Sequence, residues 1–126
     1  IECGGVSIAY LPDHQEPLDD KTYVASGALE LCSDVDVLIH DAQLTTDEFA
    51  QMSHWGHSTP TYALEVARQA GAKTLVLFHH DPSHDDDAVD VICEETRQLA
   101  AADGIEVVAA IEGLKLTLPA LTGATT

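Results

Sequence analysis

Apolar residues fall in short blocks along this chain, and each block runs directly into polar ones. Val6-Ser-Ile-Ala-Tyr10 reads as a buried strand ended by Pro12, followed by a polar loop from Asp13 to Asp20 that contains Pro17. Ala28 to Cys32 has the pattern of a short helix. Val35-Asp-Val-Leu-Ile39 predicts a strand that delivers His40 and Asp41 at its carboxyl end. Thr45 to Gly56 looks like a surface excursion, with Asp47 and Glu48 opening a helical turn. Thr59-Pro60 then supplies a cap and a first-turn proline for a helix closed by Gly71, with Ala63, Leu64, Ala67 and Ala70 on one face. Thr74 to Phe78 predicts a strand leading into His79 and His80. The carboxylates Asp85 to Asp87 favour a helix start, and Ala88, Val89, Ile92, Thr96, Leu99 and Ala100 follow at helical spacing up to Gly104. Glu106 to Ile111 and Leu114 to Leu118 read as two strands joined at Glu112-Gly113 in a hairpin. Pro119 to Thr126 is uncharged and reads as a frayed end.

Strands alternating with helices give the α/β class. The polar clusters at Asp13, at His40-Asp41 and at His79-His80 all follow strands, and open α/β sheets place their ligands beyond the carboxyl ends of strands. The 126 residues suffice for one domain or part of one. The sequence opens on Ile1 and runs almost at once into a strand, so further residues are expected upstream.

Charge narrows the choice of partner. Five Lys and Arg against 22 Asp and Glu leave a formal charge of −17, which repels phosphate backbones and disfavours a long nucleic acid as partner for this segment by itself. Concentrated salt would quench that self-repulsion, so a salt-loving host is one reading of the composition. No apolar run approaches the roughly 18 residues of a membrane span, and no signal peptide is visible before Lys21, so a soluble cytoplasmic protein is expected. Cys3, Cys32 and Cys93 are odd in number and far apart, as free thiols in a reducing compartment would be.

Seven histidines, most of them in the loops after strands, suggest chemistry based on imidazole and carboxylate, the donors that bind zinc and similar ions. Four local blocks carry this signal: Tyr10-Leu-Pro-Asp13, Ile39-His-Asp-Ala42, Gly56-His-Ser-Thr59 and Leu77-Phe-His-His-Asp-Pro82. In this order they resemble the C-terminal half of the metallo-β-lactamase fold, in its ribonuclease Z and phosphodiesterase branch. The resemblance runs from about Val6 to about Pro82. It implies one unit, residues 1–126, forming the C-terminal half of a four-layer αβ/βα sandwich whose N-terminal half is absent from this chain.

The resemblance further implies two divalent ions, zinc first, with manganese or iron as alternatives. Asp13 would be the carboxylate bridging them and His79 the last histidine ligand. Asp41 and His57 would be the catalytic pair beside the ions, the carboxylate orienting the imidazole so that it can protonate a leaving oxygen. Here His-Asp-Ala-Gln stands where ribonuclease Z normally carries a glutamate, which bears on the transfer-RNA substrate more than on the fold. The family's His-x-His-x-Asp-His cluster has no counterpart in the chain. The implied function is therefore a metal-dependent hydrolase, a phosphodiesterase using metal-bound hydroxide on a small phosphodiester, inactive without the N-terminal half as its partner. An ester, lactone or thioester hydrolase of the same fold and a non-catalytic acidic domain that binds cations or a basic protein are the alternatives, and a homo-oligomer is left open. His80 reads as a supporting residue. His54-Trp-Gly-His57 and His84 with Asp85 to Asp87 read as solvated surface before metal sites, and Trp55 as either a substrate-facing or a packing aromatic.

Overall fold

The computed structural model describes residues 1–118. Its strands are β1 (Glu2–Cys3), β2 (Val6–Leu11), β3 (Val37–Asp41), β4 (Thr74–Phe78) and β5 (Glu106–Ala109), and its helices are α1 (Ser26–Cys32), α2 (Thr46–Met52), α3 (Pro60–Ala70) and α4 (Asp86–Ala100). Single 3₁₀ turns at Ser53–Trp55 and Ala101–Asp103 follow α2 and α4.

The five strands form one sheet in the order β1-β2-β3-β4-β5, with β1 antiparallel to β2 and the other pairs parallel. β1 was not legible in the pattern, because only two residues pair before the turn. Gly4 and Gly5 both sit at positive φ, 58° and 80°, in the two-residue connection that joins it to β2; such a tight hairpin turn favours glycine at both positions.

Each parallel strand is apolar on both faces, as strands covered on both sides are. By the alternation of side chains, Ala9, Leu38, Leu75, Leu77 and Val107 face α1, α3 and α4, and they join Cys32, Ala63, Val66, Ala67, Cys93 and Ala100 in the main core. Ile8, Tyr10, Val37, Ile39, Val76, Phe78 and Val108 occupy the opposite face. Helix α3 lies close on the sheet because alanines line its inner face. Thr59 caps it through the Tyr62 amide, and Gly71 closes it at φ 76°.

Beyond shifts of one or two residues at the ends of β2 and α1, the structure differs from the sequence reading in the following ways. The strand expected at Val35–Ile39 starts at Val37, so His40 and Asp41 are its last residues and not part of a following loop. β5 ends at Ala109 instead of Ile111. The strand expected at Leu114–Leu118 does not form, although the turn is present, with the Leu114 amide donating to the Ile111 carbonyl at 3.1 Å. The reason is a competing destination: Leu116 and Leu118 line a cleft with Ile1, Val6 and Ile8 at the far edge of the sheet, so the segment crosses back over the second face instead of pairing with β5. The end expected to fray, Pro119 to Thr126, lies outside the described residues. No helix among the described residues is long and apolar enough to cross a membrane.

Candidate metal centre

The carboxyl ends of β2, β3 and β4 lie side by side, with Leu11 opposite His40, His40 opposite Leu77 and Asp41 opposite Phe78. Asp13 follows β2, Asp41 ends β3 and His79 follows β4, so the sheet itself gathers three of the four residues expected to act together. His57 joins them from the loop before α3. That loop is tied down where the Leu44 amide donates to the Ser58 carbonyl at 3.2 Å and the Glu16 amide to the His57 carbonyl at 3.1 Å.

Asp13, His57 and His79 offer ligand atoms that all lie within 4.8 Å of one another, and among the described residues no other group of three or more such donors does so. Asp13 Oδ1 stands 3.7 Å from His79 Nε2. That gap is too long for a hydrogen bond and near the spacing, about 3.4 Å, of two donors on one tetrahedral ion with bonds of about 2.1 Å. His79 Nδ1 is buried without a hydrogen-bond partner among the described residues. A carboxylate and an imidazole at this spacing suit a divalent ion such as zinc, with His57 beside them. Two such donors are fewer than the three protein ligands a catalytic ion usually takes, so bound ions need donors beyond these.

His79 adopts φ 63°, a left-handed conformation unusual for a residue with a β-carbon and tolerated best by short polar side chains and histidine. The strained residue sits where the chain must turn sharply out of β4, a placement common at functional sites. The His57 and His79 rings stack with centroids 4.8 Å apart and 23° between planes.

His57 Nδ1 lies 2.7 Å from Asp41 Oδ2 and 3.8 Å from Asp13 Oδ1, so the shorter contact takes its proton. Asp41 is fully buried. Its carboxylate also accepts the Gln43 amide at 3.0 Å and the His14 amide at 3.3 Å, which satisfies a charge that burial would otherwise penalise heavily. This arrangement places the Nδ1 proton of His57 toward Asp41 and leaves Nε2 as its available nitrogen.

Two supporting features escaped the sequence reading. His14 and the fully buried His40 form an imidazole pair, Nδ1 of the first 2.8 Å from Nε2 of the second. Burial holds His40 down to about 4, and it lowers His14 as well, against the pull of the neighbouring Asp41 carboxylate. Glu16 is 1% exposed. Its carboxylate accepts the Thr59 amide at 3.0 Å and the Thr59 hydroxyl at 2.7 Å, with Lys21 at 3.3 Å, so a negative charge sits at the start of α3 where the helix dipole favours it. A polar loop with these residues in it carries no periodic signal, and only the tertiary contacts reveal their burial.

The remaining polar residues fall outside the cluster. His80 Nε2 donates to the Ala110 carbonyl at 3.1 Å. His84 pairs with Glu48 at 2.8 Å and is largely buried, so it is neither free surface nor grouped with Asp85 to Asp87. Asp85 instead caps α4 through the Ala88 amide. His54 and Trp55 are exposed and pack edge to face.

Residues 1–80 match the Beta-lactamase superfamily domain. The chain is 37% identical over 100 residues to a ribonuclease Z of Cyanothece sp. and 38% identical over 94 residues to that of Haloarcula marismortui, covering 77% and 75% of this chain. Among solved structures, the short form of human tRNase Z superposes over 91% of the chain with a TM-score of 0.62 and 28% identity. The chain spans only 29% of each of these two ribonucleases Z and 34% of the human protein.

Proposed function

Because the chain belongs to the metallo-β-lactamase superfamily as a ribonuclease Z-like member, we propose that it is the C-terminal half of a metal-dependent phosphodiesterase. The observation that carries this reading is the convergence of Asp13, His57 and His79 at the strand ends, with Asp41 behind His57 at 2.7 Å. Asp13 and His79 would hold the divalent ions. When bound, a pair of divalent ions supplies a nucleophile near neutral pH and offsets the charge of a phosphodiester.

The chain's own contribution is a positioned proton donor. Asp41 engages the Nδ1 proton of His57 at 2.7 Å and holds the ring in one orientation. The opposite nitrogen of the imidazolium is then free to give a proton to the departing oxygen. The remaining ligands come from an N-terminal half that acts as partner. The excess of negative charge on this half favours a small phosphodiester over a long nucleic acid, unless the partner half is basic.

The test is His57→Ala in the assembled protein, followed by metal analysis and by hydrolysis of a small phosphodiester. About two ions per assembled unit retained, with activity reduced at least about 100-fold, supports the reading. Loss of metal would make His57 a ligand and overturn its role as proton donor; absence of metal from the parent protein would overturn the function itself.

A further inference from the structure

Among the described residues, Asp13 makes no hydrogen bond of its own. Its side chain is 67% exposed, and its closest polar contacts are the 3.7 and 3.8 Å approaches to His79 and His57. Its position therefore comes from its backbone, and that backbone is held at the next residue. His14 is tied three ways: its amide donates to Asp41 Oδ2 at 3.3 Å, its ring meets His40 at 2.8 Å, and its carbonyl accepts the Ser58 hydroxyl. All three ties end on the catalytic pair's own segments, since Ser58 follows His57 and His40 precedes Asp41.

We propose that the His14–His40 imidazole pair is a positioning device that sets where the Asp13 carboxylate stands relative to His57 and His79. The direction of its hydrogen bonds follows from the acceptors. His40 Nδ1 lies 2.7 Å from the Asp41 carbonyl, which can only accept, so this nitrogen carries the proton. His40 is fully buried and neutral, so its Nε2 presents a lone pair, and His14 Nδ1 must donate to it. The chain of bonds thus runs one way, from His14 through His40 to the backbone of Asp41.

Tyr62 packs against both rings of the pair, of which His40 is fully buried and His14 half-buried. It is 2% exposed, its ring lies 5.8 and 6.2 Å from the two imidazoles, and its hydroxyl donates to the Tyr23 carbonyl at 2.8 Å. An aliphatic pair would fill the same space without the cost of burying polar rings. What an aliphatic pair could not do is fix the register of the Asp13 loop against β3. The inference rests on the proposed role of Asp13 as a metal ligand, and its test separates the two.

The first measurement is nitrogen NMR of the histidine rings in the metal-free protein. His14 Nδ1 and His40 Nδ1 should be protonated and His40 Nε2 bare; a protonated His40 Nε2 at neutral pH overturns the proposal. The second compares His14→Ala with His14→Asn, whose amide can restore a donor near the position of Nδ1. In His14→Ala the ring signals of His57 and His79 should shift and Zn²⁺ affinity of the assembled protein should fall about 10- to 100-fold, as when supporting partners of metal ligands are removed. His14→Asn should return both toward the parent. Ring signals and Zn²⁺ affinity unchanged in His14→Ala, with only the melting temperature lowered, would show a structural role and overturn the inference. A parent protein that takes up no Zn²⁺ overturns the metal reading of Asp13, while the ring signals still decide whether the pair positions it.

Discussion

Acidification gives the sharpest measure of how the buried imidazole pair weighs on stability. His40 has no exposure and is held at about 4, against an ordinary 6.5, chiefly by burial. The unfolded chain therefore binds a proton at this residue below about pH 6.5 while the folded chain refuses it until about pH 4. The contribution is fully present above pH 6.5 and lost as pH falls toward 4. A difference of about 2.5 pH units at about 1.36 kcal/mol each gives a loss on the order of 3 kcal/mol across that window. Relaxation of the net charge of −17 acts in the opposite direction as pH approaches the isoelectric region near 4.3. Comparison with His40→Asn removes that background, because both proteins share it. Urea unfolding at pH 7.5, 6.5, 5.5 and 4.5 should show the parent losing stability faster than the variant on the way down, with the gap between them narrowing by about 2 kcal/mol or more. Parallel curves would refute the assignment of His40 as a neutral, buried group.

Other outcomes follow from separate features. Glu16→Ala strips the Thr59 amide and hydroxyl of their acceptor at the buried start of α3 and should cost about 3 kcal/mol in urea unfolding, whereas Glu16→Gln, which keeps an acceptor, should cost less than half of that. Gly71→Ala forces a β-carbon into a left-handed residue and to 2.7 Å from Asp34 Oδ1, so it should lose about 1–2 kcal/mol in the same assay. Raising KCl from about 0.1 to 1 M shortens the Debye length from about 10 to 3 Å and should raise the melting temperature by about 4 °C; a midpoint highest at low salt would count against self-repulsion as a significant term.

Much of the frame was readable from pattern. Thr59-Pro60 and Gly71 bracket α3 because cap, first-turn proline and left-handed closure are all local requirements. The strand Thr74–Phe78 was readable for a related reason, being a short apolar block between Lys73 and the histidines. Asp13, Asp41 and His79 stood out by their place after strands, His57 only through the resemblance that its block carries, and the fold brings all four together. What stayed hidden depended on distant partners. Nothing near Glu16 in sequence announces that it will be buried beneath a helix start 43 residues on. His14 and His84 are surrounded by polar residues, yet each meets its partner, His40 or Glu48, across more than 25 positions. Leu114 to Leu118 has the composition of a strand, and only the cleft beside Ile8 shows why it does not pair with β5.

His40 and Asp41 are neighbours in one strand, so their side chains leave it in opposite directions, the imidazole toward Tyr62 and the carboxylate toward His57. This makes β3 sensitive to its length in a way that no single substitution reveals. Deleting one residue between Val37 and Ile39 would exchange the two destinations, sending an anion among the leucines and a ring into the place of the anion. Drift in this strand can therefore change the size of an aliphatic side chain far more readily than it can add or drop a peptide unit.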